Sequence, residues 1–122
     1  MWKLSVLILA LMSQQLFAVT CETKREIYIE NATTRVWKTT ICPNQRLPFH
    51  SHQFARVLIP EADGLLKVIY RSGTKNILKL ENQTPIFLSY AQGKESHQDV
   101  NIGKKPIKVT VIEFRKGRVP SA

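Results

Sequence analysis

The chain has 122 residues, 43% of them hydrophobic, and carries eighteen Lys and Arg against nine Asp and Glu, a net charge of +9. These residues give room for one compact domain with a modest core and none for a second domain closing over a substrate. The basic excess favours anionic partners, but the cations stand singly or in pairs among apolar residues, without a basic run or an aromatic series to stack bases, which argues against nucleic acid.

The first eighteen residues, MWKLSVLILALMSQQLFA, read as a secretory signal: one cation at Lys3, an apolar run from Leu4 to Met12, a polar interval, and the small Ala18 before the expected cleavage point. The apolar run is too short to span a bilayer, and no other long apolar segment follows, so no stable membrane span is expected. Removing Lys3 leaves a charge of about +8 by residue count. Lipidation of Cys21 is the alternative fate of this segment, but Thr20 and Ala18 depart from the residues usual before a lipidated cysteine. Export places the protein in a periplasm or outside the cell. There the only cysteines, Cys21 and Cys42, read as one disulfide, whose loop of some twenty residues stabilises the fold by roughly 3 kcal/mol.

The rest of the chain alternates short β-type runs with turn chemistry. Glu26–Glu30 and Arg35–Ile41 flank the turn Asn31–Thr34 as a hairpin that brings the two cysteines together. Runs at Gln53–Ile59, Leu65–Arg71, Asn76–Leu80, Pro85–Tyr90 and His97–Ile102 follow, with a loop expected over Ala91–Ser96. The last run, Ile107–Phe114, is rich in β-branched residues, and 117–122 reads as a loose tail. About eight strands and no helix in a domain spanning 19–116 predict an all-β sandwich or small barrel. Phe49, Phe54, Phe87 and Tyr90 are expected in its core.

The stretch HSHQFAR, His50 to Arg56, holds two of the three histidines. On a strand, His50, His52, Phe54 and Arg56 share one face, and imidazoles two residues apart can share a metal ion. The third histidine, His97, opens a later strand in SHQDVN, four residues before Asn101. Glu95, on the preceding loop, is the candidate for a further ligand or base.

These residues resemble the two motifs of the cupin superfamily over about Glu26 to Phe114. His50 and His52 match the HxH of the first motif, His97 and Asn101 match the end of the second, and Pro48 and Gly64 fit the same plan. The resemblance implies a single jelly-roll β-barrel, the double-stranded β-helix, with His50, His52 and His97 holding a divalent transition metal: iron, manganese, nickel or zinc. It also implies pairing of two copies as a homodimer. The departures are Asn44 in place of the first motif's glycine, Gly64 one place late, and Gln92 and Lys94 where the second motif has proline and glycine, with Gly93 beside them. Most consequential, Arg56 stands where the family has the glutamate that completes the metal shell. A guanidinium repels a cation and cannot become a ligand, so three readings stay open for Arg56. It clamps an anionic small molecule beside a metal, it forms a metal-free basic pocket with the histidines, or it pairs with Glu61 or Asp63 at the strand end. The first reading gives an exported protein that binds or transforms an anionic small molecule at a three-histidine metal site. The second gives a non-catalytic binding module of the cell envelope.

Overall fold

In the computed structural model, which describes residues 20–115, eight strands and one short helix follow in the order β1 (Lys24–Glu30), β2 (Thr34–Ile41), β3 (Arg56–Pro60), β4 (Gly64–Tyr70), β5 (Lys75–Leu80), β6 (Ile86–Leu88), α1 (Tyr90–Lys94), β7 (His97–Asn101) and β8 (Ile107–Phe114). The expected signal and tail lie outside the described residues. Every strand pairing is antiparallel. One sheet has the order β1-β2-β8-β3-β6 and the other β5-β4-β7.

The inner faces follow from alternation. Trp37, Thr39 and Ile41 of β2 face inward, as do Val109 and Val111 of β8, Leu58 of β3 and Leu66 and Val68 of β4. Together with Leu80 and Ile107 they form the core between the two sheets. The four aromatics expected there are elsewhere. Phe49, Phe87 and Tyr90 are exposed, and Phe54 lines a cavity at the surface. Branched aliphatics fill most of this narrow lumen, and Trp37 and Tyr70 are the large aromatics buried in it among the described residues.

Three expectations change. The run Gln53–Ile59 does not begin as a strand: Gln53 and Phe54 form a bend and β3 starts at Arg56. The loop Ala91–Ser96 largely folds as α1, capped by Ser89, whose Oγ accepts from Gln92 N at 3.2 Å. Asn44, in the place of a motif glycine, has φ of 62°, the left-handed region that asparagine tolerates better than most residues.

The expected hairpin forms, with Asn31 Oδ1 accepting from Thr33 N at 3.0 Å and Thr34 N at 2.9 Å. Cys21 and Cys42 are joined, with Cα atoms 5.8 Å apart, and so tie the chain ahead of β1 to the end of β2. Next to that staple, Asn101 is fully buried. Its Nδ2 donates to the carbonyls of Ile41 (2.9 Å) and Lys105 (2.8 Å), and its Oδ1 accepts from Gly103 N (2.9 Å). One side chain thus joins β7 to the end of β2 and to the turn before β8. Replacing it with leucine strands three backbone groups, so Asn101→Leu should lower the unfolding free energy by about 3 kcal/mol in urea titration, given roughly 1 kcal/mol or more for each group left unpaired. An unchanged midpoint would remove this side chain from the account of how the two sheets are joined.

Candidate metal centre

The three histidines arrive from two segments that are hydrogen-bonded together. His97 opens β7. Opposite it, the irregular stretch 46–52 runs alongside β7 as an added edge: Leu47 N donates to Asp99 O at 2.9 Å, and His50 and His97 exchange both main-chain bonds at 2.9 Å. His52 N then donates to Gly93 O in α1 at 2.7 Å. The bend at Gln53–Phe54 follows, and the chain enters β3 at Arg56. The shared face read from strict alternation is therefore reached by a different route: His50, His52 and Arg56 all line the lumen, while Phe54 turns to a surface cavity.

The imidazoles face one another. One ring nitrogen from each of His50, His52 and His97 lies within 4.8 Å of the others. Ring centroids are 4.5 Å apart for His50–His97, 5.0 Å for His50–His52 and 5.4 Å for His52–His97. Two of the rings are oriented in the same way. His50 Nδ1 lies 2.8 Å from Pro48 O, and His97 Nδ1 lies 2.8 Å from Glu95 O. A carbonyl only accepts, so each Nδ1 carries the hydrogen. In the neutral ring this leaves a lone pair on Nε2, the arrangement in which main-chain carbonyls fix the tautomer of a metal ligand. The Nε2 of His97 is buried and has no hydrogen-bond partner among the described residues. An orphaned, buried lone pair surrounded by two more imidazoles fits a metal ion.

Electrostatics disfavour the charged form of two of the three rings, His52 and His97. His52 stacks on Trp37, rings 6.4 Å apart and 6° from parallel. Burial, reinforced by Arg56 and the two neighbouring imidazoles, pulls its pKa down from 6.5 to about 2. Burial also lowers His97, against the opposing pull of the Glu95 carbonyl and Asp99. Imidazoles held neutral need lose no proton to coordinate.

Arg56 is 4% exposed. Its Nη2 donates to Gln92 Oε1 at 2.8 Å, and Gln92 Nε2 in turn donates to Tyr70 Oη at 3.1 Å. Nη1 is buried without a partner. The expected alternative partners are engaged elsewhere: Glu61 with Lys38, and Asp63 with Asn82 N at 2.7 Å. Instead, Arg56 lies directly across the ladder from Glu113 of β8, which is 6% exposed and flanked on its other side by Arg35 of β2. Gly93 closes over this group. A Cβ there would fall 2.6 Å from Arg56 Nη1 and 2.8 Å from His52 Cβ, so the glycine of the second motif is present one residue before its expected place because nothing larger fits.

Glu95 does not join the cluster. Its carboxylate accepts from Ser72 N at 3.1 Å on the exposed side, and only its carbonyl touches the site. The carboxylate at the cluster is Asp99, whose Oδ2 lies 3.3 Å from His50 Nε2. Asp99 is among the polar groups that the sequence places near the site, whereas Glu113, Arg25 and Arg35 were passed over. Arg25 and Arg35 both lie over the Trp37 ring, 4.6 Å and 5.5 Å from its centroid, on the inner face of the large sheet. Alternation from Trp37 would have placed Arg35 and Thr39 on that face, and strand pairing adds Arg25 opposite Thr39.

The space around the cluster is divided. Beneath it the lumen, walled by Leu58, Leu66, Val68, Val109 and Val111, has a volume of about 40 Å³, room for roughly three waters. Above it a cavity of about 260 Å³ is bounded by Arg25, Arg35 and Arg115 together with His50, His52 and Glu113. A ligand of more than a few atoms therefore meets His50 and His52 from the arginine-lined side.

The chain matches no protein-family model and no curated protein. Solved structures resemble it. A cupin domain from Bordetella pertussis Tohama I superposes with a TM-score of 0.68 at 17% identity, covering 77% of this chain and 94% of that one. An RmlC-like cupin family protein with a double-stranded β-helix fold from Methanocaldococcus jannaschii gives 0.61 at 10% identity, covering 80% and 84%. A conserved protein with a double-stranded β-helix domain from Klebsiella pneumoniae gives 0.58 at 17%, covering 76% of each chain. The fold is thus the jelly roll that cupins share.

The depressed histidines set a pH dependence. A pKa lower in the folded state than in the unfolded one means that the unfolded chain binds more protons below about pH 6.5, so stability is complete above that value and drains away as pH falls. Metal-free protein should lose stability between about pH 6.5 and pH 4.5, with a slope that shrinks by up to about 1.4 kcal/mol per pH unit in His52→Gln. Urea midpoints across this range measure it. Equal slopes in the two proteins would mean that His52 is protonated as readily in the fold as outside it.

Proposed function

We propose that the protein is an exported cupin-fold protein that holds one divalent transition metal through His50, His52 and His97 and binds an anionic small molecule beside it. The observation that carries this reading is the buried, unpartnered Nε2 of His97 within 4.8 Å of donor nitrogens from the other two imidazoles. Export is supported by the amino-terminal segment and by the Cys21–Cys42 disulfide, which an oxidising compartment preserves.

When bound, the metal supplies Lewis acidity to a ligand oxygen or water in the positions that three protein ligands leave open. The other residues orient and select. Pro48 and Glu95 carbonyls hold two of the rings, and Gly93 permits Arg56 to approach. Arg56 offers its free Nη1–H to a carboxylate or phosphate oxygen. Such a ligand reaches His50 and His52 from the cavity bounded by Arg25, Arg35 and Arg115, and only a terminal oxygen of it enters the small lumen that Arg56 lines.

That Nη1 donor also favours a second reading, a metal-free envelope module whose basic pocket binds the anion directly. The two differ in measurable ways. Protein exported through its own signal and purified without a polyhistidine tag or chelator should contain about one equivalent of iron, manganese, nickel or zinc by mass spectrometry, since three facing imidazoles hold a single ion. His52→Ala should lose it. Metal-free wild-type protein that also takes up none on titration would dispose of the metal reading.

Under the second reading, thermal stabilisation of the metal-free protein by oxalate or phosphate should vanish in Arg56→Ala and persist in His97→Ala. Equal losses in both variants would count against a metal-free pocket.

A further inference from the structure

The chain's lysines are not distributed alike over its two sheets. On the outer face of the large sheet two of the three are matched by carboxylates, Lys24 lying 3.1 Å from Glu26 and Lys38 pairing with Glu61, while Lys108 has no such partner among the described residues. The outer face of β5-β4-β7 is built differently. Strand register gives cross-strand rows of Lys79 beside Leu65, Ile77 beside Lys67 beside Val100, and Lys75 beside Ile69 beside Gln98. Arg46, bridged to Val100, continues the middle row.

No carboxylate lies on this face within the three strands. Glu81, just past the end of β5, is 3.9 Å from Lys79, with both side chains mostly in solvent. Ile77 is 62% exposed, Leu65 42% and Ile102, at the end of the Leu65 row, 40%. Exposed aliphatic side chains in cross-strand rows with cations, of which only Lys79 has a carboxylate near it, form a mixed apolar and basic patch that calls for a partner.

We infer that the outer face of β5-β4-β7 is a docking surface for an anionic lipid bilayer, the aliphatic residues entering the headgroup layer while Lys67, Lys75, Lys79 and Arg46 meet lipid phosphates. The two halves of this chemistry belong together. Cations alone would suit any polyanion, and aliphatics alone any apolar partner. Their alternation residue by residue matches an interface in which phosphates and acyl chains lie within a few ångströms of each other. A second copy is a poor occupant, because two-fold pairing would place this basic face, which carries no acid within its three strands, against an identical one. Nucleic acid lacks an acyl layer to receive Ile77 and Leu65, and the exposed residues of the face are aliphatic where base stacking requires rings.

The lumen mouth opens elsewhere, on the inner side of the large sheet around Arg25, Arg35 and Arg115. Docking therefore leaves the histidine cluster accessible, and this inference stands independently of whether a metal is bound.

The test is flotation of the exported, purified protein with vesicles of phosphatidylcholine alone or mixed with phosphatidylglycerol. The result expected is partitioning onto the mixed vesicles only, weakened by salt. Replacing three cations as Lys67→Gln, Lys75→Gln and Lys79→Gln in one chain should lower the partition coefficient on the order of a hundredfold, because each basic side chain near an anionic surface contributes roughly fivefold. The pair Leu65→Ser and Ile77→Ser should also lower it, and circular dichroism should show every variant folded. Every variant carries the same amino terminus, so a contribution from that segment cancels. Failure of wild-type protein to float, or equal flotation by the lysine variant, overturns the inference. A loss in the lysine variant with none in the serine pair, together with equal retention by polyglutamate or DNA, would make the face a generic polyanion site and overturn it as well.

Discussion

The site depends on one backbone arrangement, the paired main-chain bonds between His50 and His97. Without that exchange, the stretch 46–52 leaving the end of β2 is held only near its two ends, by Leu47 N on Asp99 O and His52 N on Gly93 O. With it, the loop becomes a further edge on the smaller sheet. Both bonds come from histidines, so the contact that closes the barrel mouth also brings two imidazoles face to face. His52 follows because its N–H is held by Gly93 O, and Arg56 follows because β3 can begin only after the bend at Gln53–Phe54. The same residues that seal the mouth thus carry the chemistry, and a change at the rim alters both.

The strands were legible because most bury one face, and burying one face forces alternation that a sequence displays directly. Ile107 to Phe114 shows it most clearly, with Ile107, Val109 and Val111 inside. The histidines were legible for a different reason: their spacing matches motifs of a known fold, although no overall sequence match exists. The short helix Tyr90–Lys94 was not legible, since five residues hold little more than one turn and show no helical period. Its one conspicuous feature, Gly93, matters through close approach to Arg56 and His52, which is a property of tertiary packing and leaves no local trace. The aromatics were misplaced on composition alone, because a ring's preference for burial says nothing of whether a narrow lumen has space for it.

The charged residues across the mouth were the least legible. Glu113 shares the inner face of β8 with Ile107, Val109 and Val111, and it is buried between Arg35 and Arg56 because β8 lies between β2 and β3. Only strand order reveals that row. It also explains how an arginine is tolerated at 4% exposure: the charge is opposed across the ladder by Glu113, and one end of the guanidinium is held by Gln92. The acid that cupins use beside the metal has, in this chain, no equivalent among the imidazoles' immediate partners except Asp99, which approaches His50 alone.

This distribution leaves two opposite needs in one small volume. His97 Nε2 is a buried lone pair with nothing to accept, and Arg56 Nη1 is a buried donor with no acceptor. A bare metal ion would satisfy the first and be repelled by the second. A free anion would satisfy the second while leaving the buried Nε2 of His97 without a partner. A metal together with the anion that binds to it meets both, the imidazoles taking the cation and the guanidinium the oxygen on its far side. With Arg56 in place of a carboxylate at the shell, negative charge that a carboxylate would provide permanently has, on the proposed reading, to arrive with the ligand. On the reading proposed above, metal and anion should bind as a coupled pair, each raising the affinity for the other.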